Sequence, residues 1–461
     1  MWNDMQEKCG VFGIKSKAAK PLAHTVYYAL YALQHRGQES AGIVVNSNRE
    51  FISRKDLGLV SEVFSSDDLN RFPEGEIAIG HVRYGTTGGT LVANCQPIEV
   101  HHHKGNLALA HNGNLSNAKV LHKKLEEMGA IFHSTSDTEI IAYLITRYRL
   151  SESSIEDAVS KAMDEMEGAY SLVITSPTKM IAVRDPHGFR PLCYGVTPEG
   201  DRVVASETCA LHAVGAEYVK DLEPGEILVF DGGEVISRKE HCKKAPKRIC
   251  IFEYIYFARP DSRIDGISVH GSRLLLGKLL YESAPVDADI VIGVPDSGLD
   301  AALGYSHASG IHYGIGLIKN RYIGRTFIAP GQEHRTDLVR IKLSPVRSEI
   351  EGRRVILIDD SIVRGTTMGR IVGMLREAGA KEIHVRITAP KFLHPCYYGT
   401  DIDSEEKLIA NHHDTDAIRE MIGADSLAFL PREALSRITG GDDYCAACFD
   451  GAYPTATYPK D

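Results

Sequence analysis

VILIDDSIVRGTT, Val355–Thr367, decides the carboxyl-terminal half of this chain. Four apolar residues in a row read as a buried strand of a parallel sheet, and two carboxylates stand at its end. MGRIVGMLREAGA follows with Ile371, Val372 and Leu375 at helical spacing before Gly379. The hydroxyl- and glycine-rich loop between them therefore lies at a strand's carboxyl end and opens a helix. There the N–H groups of Arg364, Gly365, Thr366 and Thr367 and the positive helix end can bind an anion. Asp359 and Asp360 would repel phosphate alone, so ribose hydroxyls or a magnesium ion are their expected partners. A capped strand-to-helix turn explains a lone DDS tripeptide, but not the whole consistent run.

Outward from this stretch, IVIGV, IGLIK and IHVRIT are further apolar runs separated by helical segments, the pattern of an α/β doubly wound parallel sheet. SRKEHCKKAPKRIC (237–250) breaks that patterning with six Lys or Arg and one Pro, which puts a boundary near Lys243. Upstream, short strands such as SLVIT and EILVF alternate with Gly-rich turns and a few helices, including one around Tyr27 to Gln34. This half reads as α+β. The expected division is residues 1–8 as a removable segment, 9–242 as the first domain and 243–461 as the second.

The chain has 461 residues, 43% hydrophobic and 25% charged, with a net charge of −9. That is enough for two cores, and the acidic balance argues against nucleic acid as a partner. No apolar stretch approaches the roughly 20 residues of a membrane span, and MWNDMQEK lacks the features of a secretion signal. A cytoplasmic protein is expected. In such a compartment the nine cysteines are not read as a disulfide framework.

Several motifs carry family resemblance. The Val355–Thr367 run resembles the phosphoribosyl pyrophosphate (PRPP) loop of phosphoribosyltransferases, which implies that Ser361 and Arg364 to Thr367 hold the 5-phosphate above Asp359 and Asp360. GVPDSG (Gly293–Gly298) resembles the pyrophosphate loop of the same enzymes, making Ser297 a magnesium neighbour; alone it would be a turn. Between the loops, the basic, glycine-containing segment from Lys319 through Arg325 to Arg335 looks like a lid over PRPP.

In the first half, Cys9 in KCGVFGI is followed by HRGQESAGI (His35–Ile43), GHVRYGTTG (Gly80–Gly88), LAHNGNL (Leu109–Leu115) and STSDTE (Ser134–Glu139). Together these resemble the glutaminase domain of amidotransferases with an amino-terminal cysteine nucleophile. If residues 1–8 are removed, the α-amine of Cys9, with an ordinary pKa of about 8, can take the thiol proton. Asn112 and Gly113 can offer N–H groups to an oxyanion. The resemblance implies that Arg83 grips the glutamine α-carboxylate and Asp137 the α-ammonium, with Arg36 and Thr86 completing the pocket. Each residue also has a plainer reading: Asn112-Gly113 as a hairpin turn, Asp137 as a helix cap, Arg83 as a surface pair. His101 to His103 lack metal-site spacing and are read as an exposed loop.

Cys445-Ala-Ala-Cys448 could be redox-active, metal-binding or incidental. Cys250 in CIFEYIYFARPDS and Cys396 in HPCYYG stand in segments that match the clustered branch of the amidotransferases, and the resemblance implies a structural [4Fe-4S] cluster on these four. Cysteine spacing does not choose between that and zinc. Cys95, Cys193, Cys209 and Cys242 are read as packing residues or exposed thiols.

From Cys9 to about Tyr458 the chain thus resembles the glutamine phosphoribosylpyrophosphate amidotransferases. The resemblance implies transfer of glutamine nitrogen to PRPP at the start of purine synthesis, ammonia passing between the sites by a protected path, and a homotetramer inhibited by purine nucleotides. A PRPP-sensing regulator would lack Cys9 or the lid, and a sugar-phosphate aminating enzyme would not need DDSIVRGTT and GVPDSG.

Overall fold

The computed structural model describes residues 9–84, 91–320, 342–400, 402 and 404–457. Thr86, Arg325 and the expected removable segment 1–8 lie outside these residues, as does most of the expected lid.

The first half stacks two antiparallel sheets between helices. One sheet runs in the order Glu217–Asp221, Cys193–Val196, Arg202–Ala205, Gly10–Lys20, Gly75–Arg83, Ser40–Ser47, Glu50–Leu57. The other runs Glu234–Arg238, Ile227–Asp231, Lys179–Arg184, Gly168–Thr175, Leu107–Leu115, Ile98–Val100. Alternation along Gly10–Lys20 explains the layering. Val11 joins Ala108, Val173 and Ala182 in the core between the sheets, whereas Phe12 and Ile14 face the other way onto Val26 and Leu30 of helix Leu22–Ala32. Gly13 permits a close approach of the sheets, since a Cβ there would stand 2.6 Å from Val173. Helices Ala118–Glu127, Asp137–Tyr148 and Ile155–Met163 cover the second sheet's outer face.

After the turns of residues 239–248, the chain enters the second half. Four parallel strands lie in the order Ile290–Gly293, Arg354–Asp359, Glu382–Ile387, Ser426–Phe429, with Gly293 opposite Ile358 and Asp359 opposite Ile387. IGLIK is a correction to the sequence reading: Leu317–Lys319 pairs antiparallel with Leu343–Pro345 and is outside this sheet. Upstream of this run the chain bridges to the sheet at Tyr313, opposite Val291. Ile315 and Ile318 are 61% and 55% exposed, so the run is apolar without being a core strand. The fourth strand, Ser426–Phe429, has no counterpart in the sequence reading.

Candidate active sites

Cys9 immediately precedes the central strand of the first sheet, and its thiol is buried with Sγ 3.8 Å from the carbonyl oxygen of Tyr84. Burial raises the thiol's pKa; the Tyr84 contact and the Arg83 charge oppose this, while Asp137 and Glu39 add to it. The thiol is therefore held protonated unless a base stands beside it. Arg83, at the end of Gly75–Arg83, pairs with Glu39 and is 4% exposed, which removes the surface-pair reading.

Asn112 and Gly113 are not a hairpin turn. They lie within strand Leu107–Leu115, opposite Ser171 and Tyr170. Gly113 has φ +147, and a Cβ there would stand 2.0 Å from the Ala169 carbonyl oxygen, so only glycine fits. Asn112 is 1% exposed, and both of its side-chain amide atoms are buried without a partner among the described residues. Such a group costs free energy unless a ligand completes it.

The cap of helix Asp137–Tyr148 is Ser136, whose Oγ accepts from the Thr138 N–H. The Asp137 carboxylate instead accepts the Leu115 N–H at 2.9 Å and lies 3.5 Å from Nδ1 of His111. Burial would raise its pKa, but His111, the Leu115 N–H and Arg83 together hold it below the ordinary value. Asp137 is thus an anion that opens its helix and is bonded to the end of the strand carrying the oxyanion candidates.

Arg36 sits differently from the expectation that it lines the glutamine pocket. Its Nε donates to the Cys9 carbonyl at 3.1 Å, and its other nitrogens bond Glu207 and Glu253. It holds the backbone of the candidate nucleophile. Glu39, His111, Glu207 and Glu253 have no role in the sequence reading. For Glu253 a signal existed, a single carboxylate inside the apolar run CIFEYIYF, which burial would oblige to find a partner. His101–His103 fall in the loop after Ile98–Val100, with His101 and His103 exposed.

In the second half, Arg354–Asp359 ends at the loop that opens helix Thr366–Glu377, whose cap Gly365 has φ +79. Ser297 Oγ donates to Asp360 at 2.7 Å and Ser361 Oγ at 2.5 Å, while Asp359 accepts the Asp360 N–H at 2.9 Å. The two loops meet because their strands are neighbours: a Cβ on Gly298 would stand 2.4 Å from the Ile358 carbonyl oxygen. Burial, and then the adjacent Asp360, raises Asp359 well above the carboxylate range; burial also raises Asp360 against the lowering by Ser297 and Ser361. These hydroxyl and N–H donors are neutral, so the pair favours a cation. Lys319 reaches Asp296 of the pyrophosphate-loop candidate at 2.7 Å.

A family model described as a glutamine amidotransferase domain matches residues 87–213. The chain is 50% identical to the amidophosphoribosyltransferase of Methanocaldococcus jannaschii, over 97% of this chain and 98% of that protein. It is 49% identical to that of Bacillus subtilis, over 98% and 95%.

The chain belongs to the amidophosphoribosyltransferase family. The solved glutamine PRPP amidotransferase from B. subtilis, complexed with ADP and GMP, superposes with a TM-score of 0.90 at 48% identity, covering 98% of both chains. The structure of an allosteric regulatory enzyme of purine biosynthesis gives 0.91, also at 48% identity, covering 98% of this chain and 97% of that one. As in other amidophosphoribosyltransferases, the architecture joins an N-terminal-nucleophile glutaminase unit to a doubly wound phosphoribosyltransferase unit.

In this family member the four singled-out cysteines converge. Ile249–Cys250 pairs in parallel with Tyr444–Cys445, placing Cys250 opposite Cys445. Cys396 and Cys448 join them around one cavity whose walls include Phe189, Phe252, Phe392 and Tyr398. Burial first, and then the neighbouring thiols, raises Cys448 well above the ordinary value; Cys250 is pushed up to about 12 by burial. Among the described residues, no three His, Cys, Asp or Glu side chains are gathered as ligands of a single metal ion. No described helix is long and apolar enough to cross a membrane.

Proposed function

We propose that this amidophosphoribosyltransferase converts glutamine, PRPP and water into 5-phosphoribosylamine, glutamate and pyrophosphate, the first step of purine synthesis, at two sites joined by a protected ammonia path. The observation that carries the reading is one chain, alike to amidophosphoribosyltransferases over nearly its whole length, holding a buried thiol, a buried Asn112 amide unpartnered among the described residues, and a phosphate-type loop over two buried carboxylates.

Removal of residues 1–8 frees the α-amine of Cys9 to take the thiol proton. The thiolate attacks the glutamine amide carbon, and the oxygen takes its charge facing the Asn112 Nδ2–H and Gly113 N–H. Collapse of the tetrahedral species breaks the C–N bond; the amine returns the proton to the departing nitrogen, and water then cleaves the thioester to glutamate. Arg83 and Asp137, with Thr86, bind the amino-acid end. In the other half Ser361, Arg364, Gly365, Thr366 and Thr367 hold the 5-phosphate, and Lys319 and Arg325 meet the remaining phosphates. Asp359 and Asp360 tolerate the positive charge that develops on the ribose as ammonia replaces pyrophosphate. Magnesium, held by Ser297, Asp359 and Asp360, would neutralise the leaving pyrophosphate. Free ammonia is mostly protonated in water, hence the need for a shielded path.

The four cysteines fit a structural [4Fe-4S] cluster. The four line one cavity, and burial together with neighbouring thiols holds Cys445 and Cys448 protonated, a set that a metal would ionise. Zinc would require the four sulfurs to meet around one point. A cytoplasmic homotetramer inhibited by purine nucleotides completes the reading.

Pyrophosphate release is measured with glutamine or ammonium as nitrogen source, with and without PRPP, alongside the intact mass. Synthesis from both sources, loss of residues 1–8 and added iron and sulfide are expected. Active protein retaining residues 1–8 would refute the α-amine mechanism, and absence of PRPP turnover would refute the whole assignment.

A further inference from the structure

Glu253 follows the turns that close the glutaminase half, yet its side chain is spent inside that half. It opens the π-helical turn Glu253–Phe257 and is 0% exposed. Its Oε1 accepts from Nη2 of Arg36 at 2.9 Å and from Nη1 of Arg190 at 3.2 Å, and its Oε2 accepts from Nη1 of Arg36 at 3.0 Å. Arg36 also bonds Glu207 at 2.5 Å, and its Nε donates to the Cys9 carbonyl at 3.1 Å. Glu207 is held in turn by His35 at 2.8 Å, by Ser262 at 2.8 Å and by the Arg259 N–H at 2.9 Å. Arg190 donates onward to the Tyr398 carbonyl, beside the cysteine cavity.

Two arginines and two glutamates thus form a neutral quartet, each member at most 1% exposed. Apolar residues of similar volume would serve stability as well as buried ion pairs do, so stability is not what this arrangement supplies. It supplies direction. A guanidinium fixed by carboxylates on two sides cannot swing, and its Nε–H points at one backbone oxygen. Arg273 steadies the other side of the turn by donating to the carbonyls of Tyr254, Tyr256 and Ala258.

We propose that Glu253 is a positioning residue of the glutaminase reaction: by locking Arg36 it sets where the Cys9 backbone, and so its amine and thiol, stand relative to Asn112. The inference rests on the reading of Cys9 as nucleophile. It makes the glutaminase site incomplete without a carboxylate from beyond the glutaminase sheets.

Glu253→Gln keeps the shape and removes the charge. Misplacing the nucleophile against a normally bound substrate lowers kcat rather than raising KM. We expect glutamine kcat to fall at least about tenfold, with the glutamine KM and the ammonium-dependent rate within about twofold of the parent. Covalent labelling of Cys9 by 6-diazo-5-oxonorleucine should slow by the same factor. Glu253→Asp keeps the charge and tests the same point if the glutamine variant folds poorly; its loss should be smaller and equally selective. Parallel loss of glutamine and ammonium activities in a folded variant, or labelling at the parental rate, would overturn the proposal. A parent whose Cys9 neither labels nor turns over glutamine would instead overturn the glutaminase reading.

Discussion

The two halves build their sites in opposite ways. In the transferase half, Asp359, Asp360, Ser361 and Arg364–Thr367 come from one strand, one loop and the start of one helix, and the fold adds Ser297 from the neighbouring strand's end. In the glutaminase half, Cys9, Arg83, Asn112 and Asp137 come from two sheets and a helix, and the residue that holds the Cys9 backbone is fixed by a carboxylate from outside that half. A contiguous site is set by local backbone geometry. An assembled one depends on every packing contact that brings its parts together.

The sharpest way to break this comparison is Cys9→Ala. Glutamine-dependent synthesis should fall by roughly 10³-fold or more, as for loss of other covalent nucleophiles, while ammonium-dependent synthesis persists. Loss of both in folded protein would mean that the halves are not separate sites. Next in size is Asn112→Ala. Removing one preorganised oxyanion donor should lower the glutamine kcat by about 10²–10³-fold and leave ammonium turnover in place. A change in glutamine KM alone would move Asn112 from the oxyanion to substrate binding.

The same contrast explains what the sequence made legible. Val355–Thr367 could be read because its apolar run, acids and loop act through neighbours in the chain. Asp137 and Asn112 could be named, but not separated from a cap and a turn, because that choice depends on Leu115 and on the pairing with Gly168–Thr175. The resemblance puts Arg36 in the pocket, but an arginine suits either a substrate or a salt bridge, and only the positions of Glu207 and Glu253 decide. IGLIK misled because an apolar run does not name its partner, and Ser426–Phe429 is short and only partly buried. The convergence of Cys250 on Cys445 comes from a two-residue parallel pairing that no local pattern announces.

Acid should separate the halves more gently. His81, in strand Gly75–Arg83, is 0% exposed, with Nε2 3.0 Å from the His111 carbonyl oxygen and Nδ1 unpartnered among the described residues. Burial first, with help from Arg83 and His111 and against the His111 carbonyl, lowers its pKa to about 3. The unfolded chain takes up a proton near pH 6.5 that the folded state refuses until about pH 3. Stability from this residue is therefore complete above pH 6.5 and is lost as pH falls towards 3. Between pH 7 and 5 the loss is about 2 kcal/mol. Urea unfolding of the parent and His81→Gln at both pH values should show the parent losing that much more; equal losses would mean that His81 is protonated in the fold.

The smallest expected effect sharpens the comparison from the transferase side. Ser297 gives Asp360 one of its two hydroxyl donors, at 2.7 Å, and Ser361 gives the other at 2.5 Å. Ser297→Ala removes a hydrogen bond to a charged group, worth about 1.5 kcal/mol or roughly tenfold in rate. It also removes an interaction that opposes the burial-driven rise of Asp360, making the anion harder to keep. Because the strand, loop and helix that carry the remaining groups do not depend on this hydroxyl, the loss should stop near tenfold. It should be the same with glutamine and with ammonium, while labelling of Cys9 keeps its parental rate. A loss confined to glutamine would place Ser297 in the coupling between the sites, and the contiguous site would then depend on distant contacts as the assembled one does.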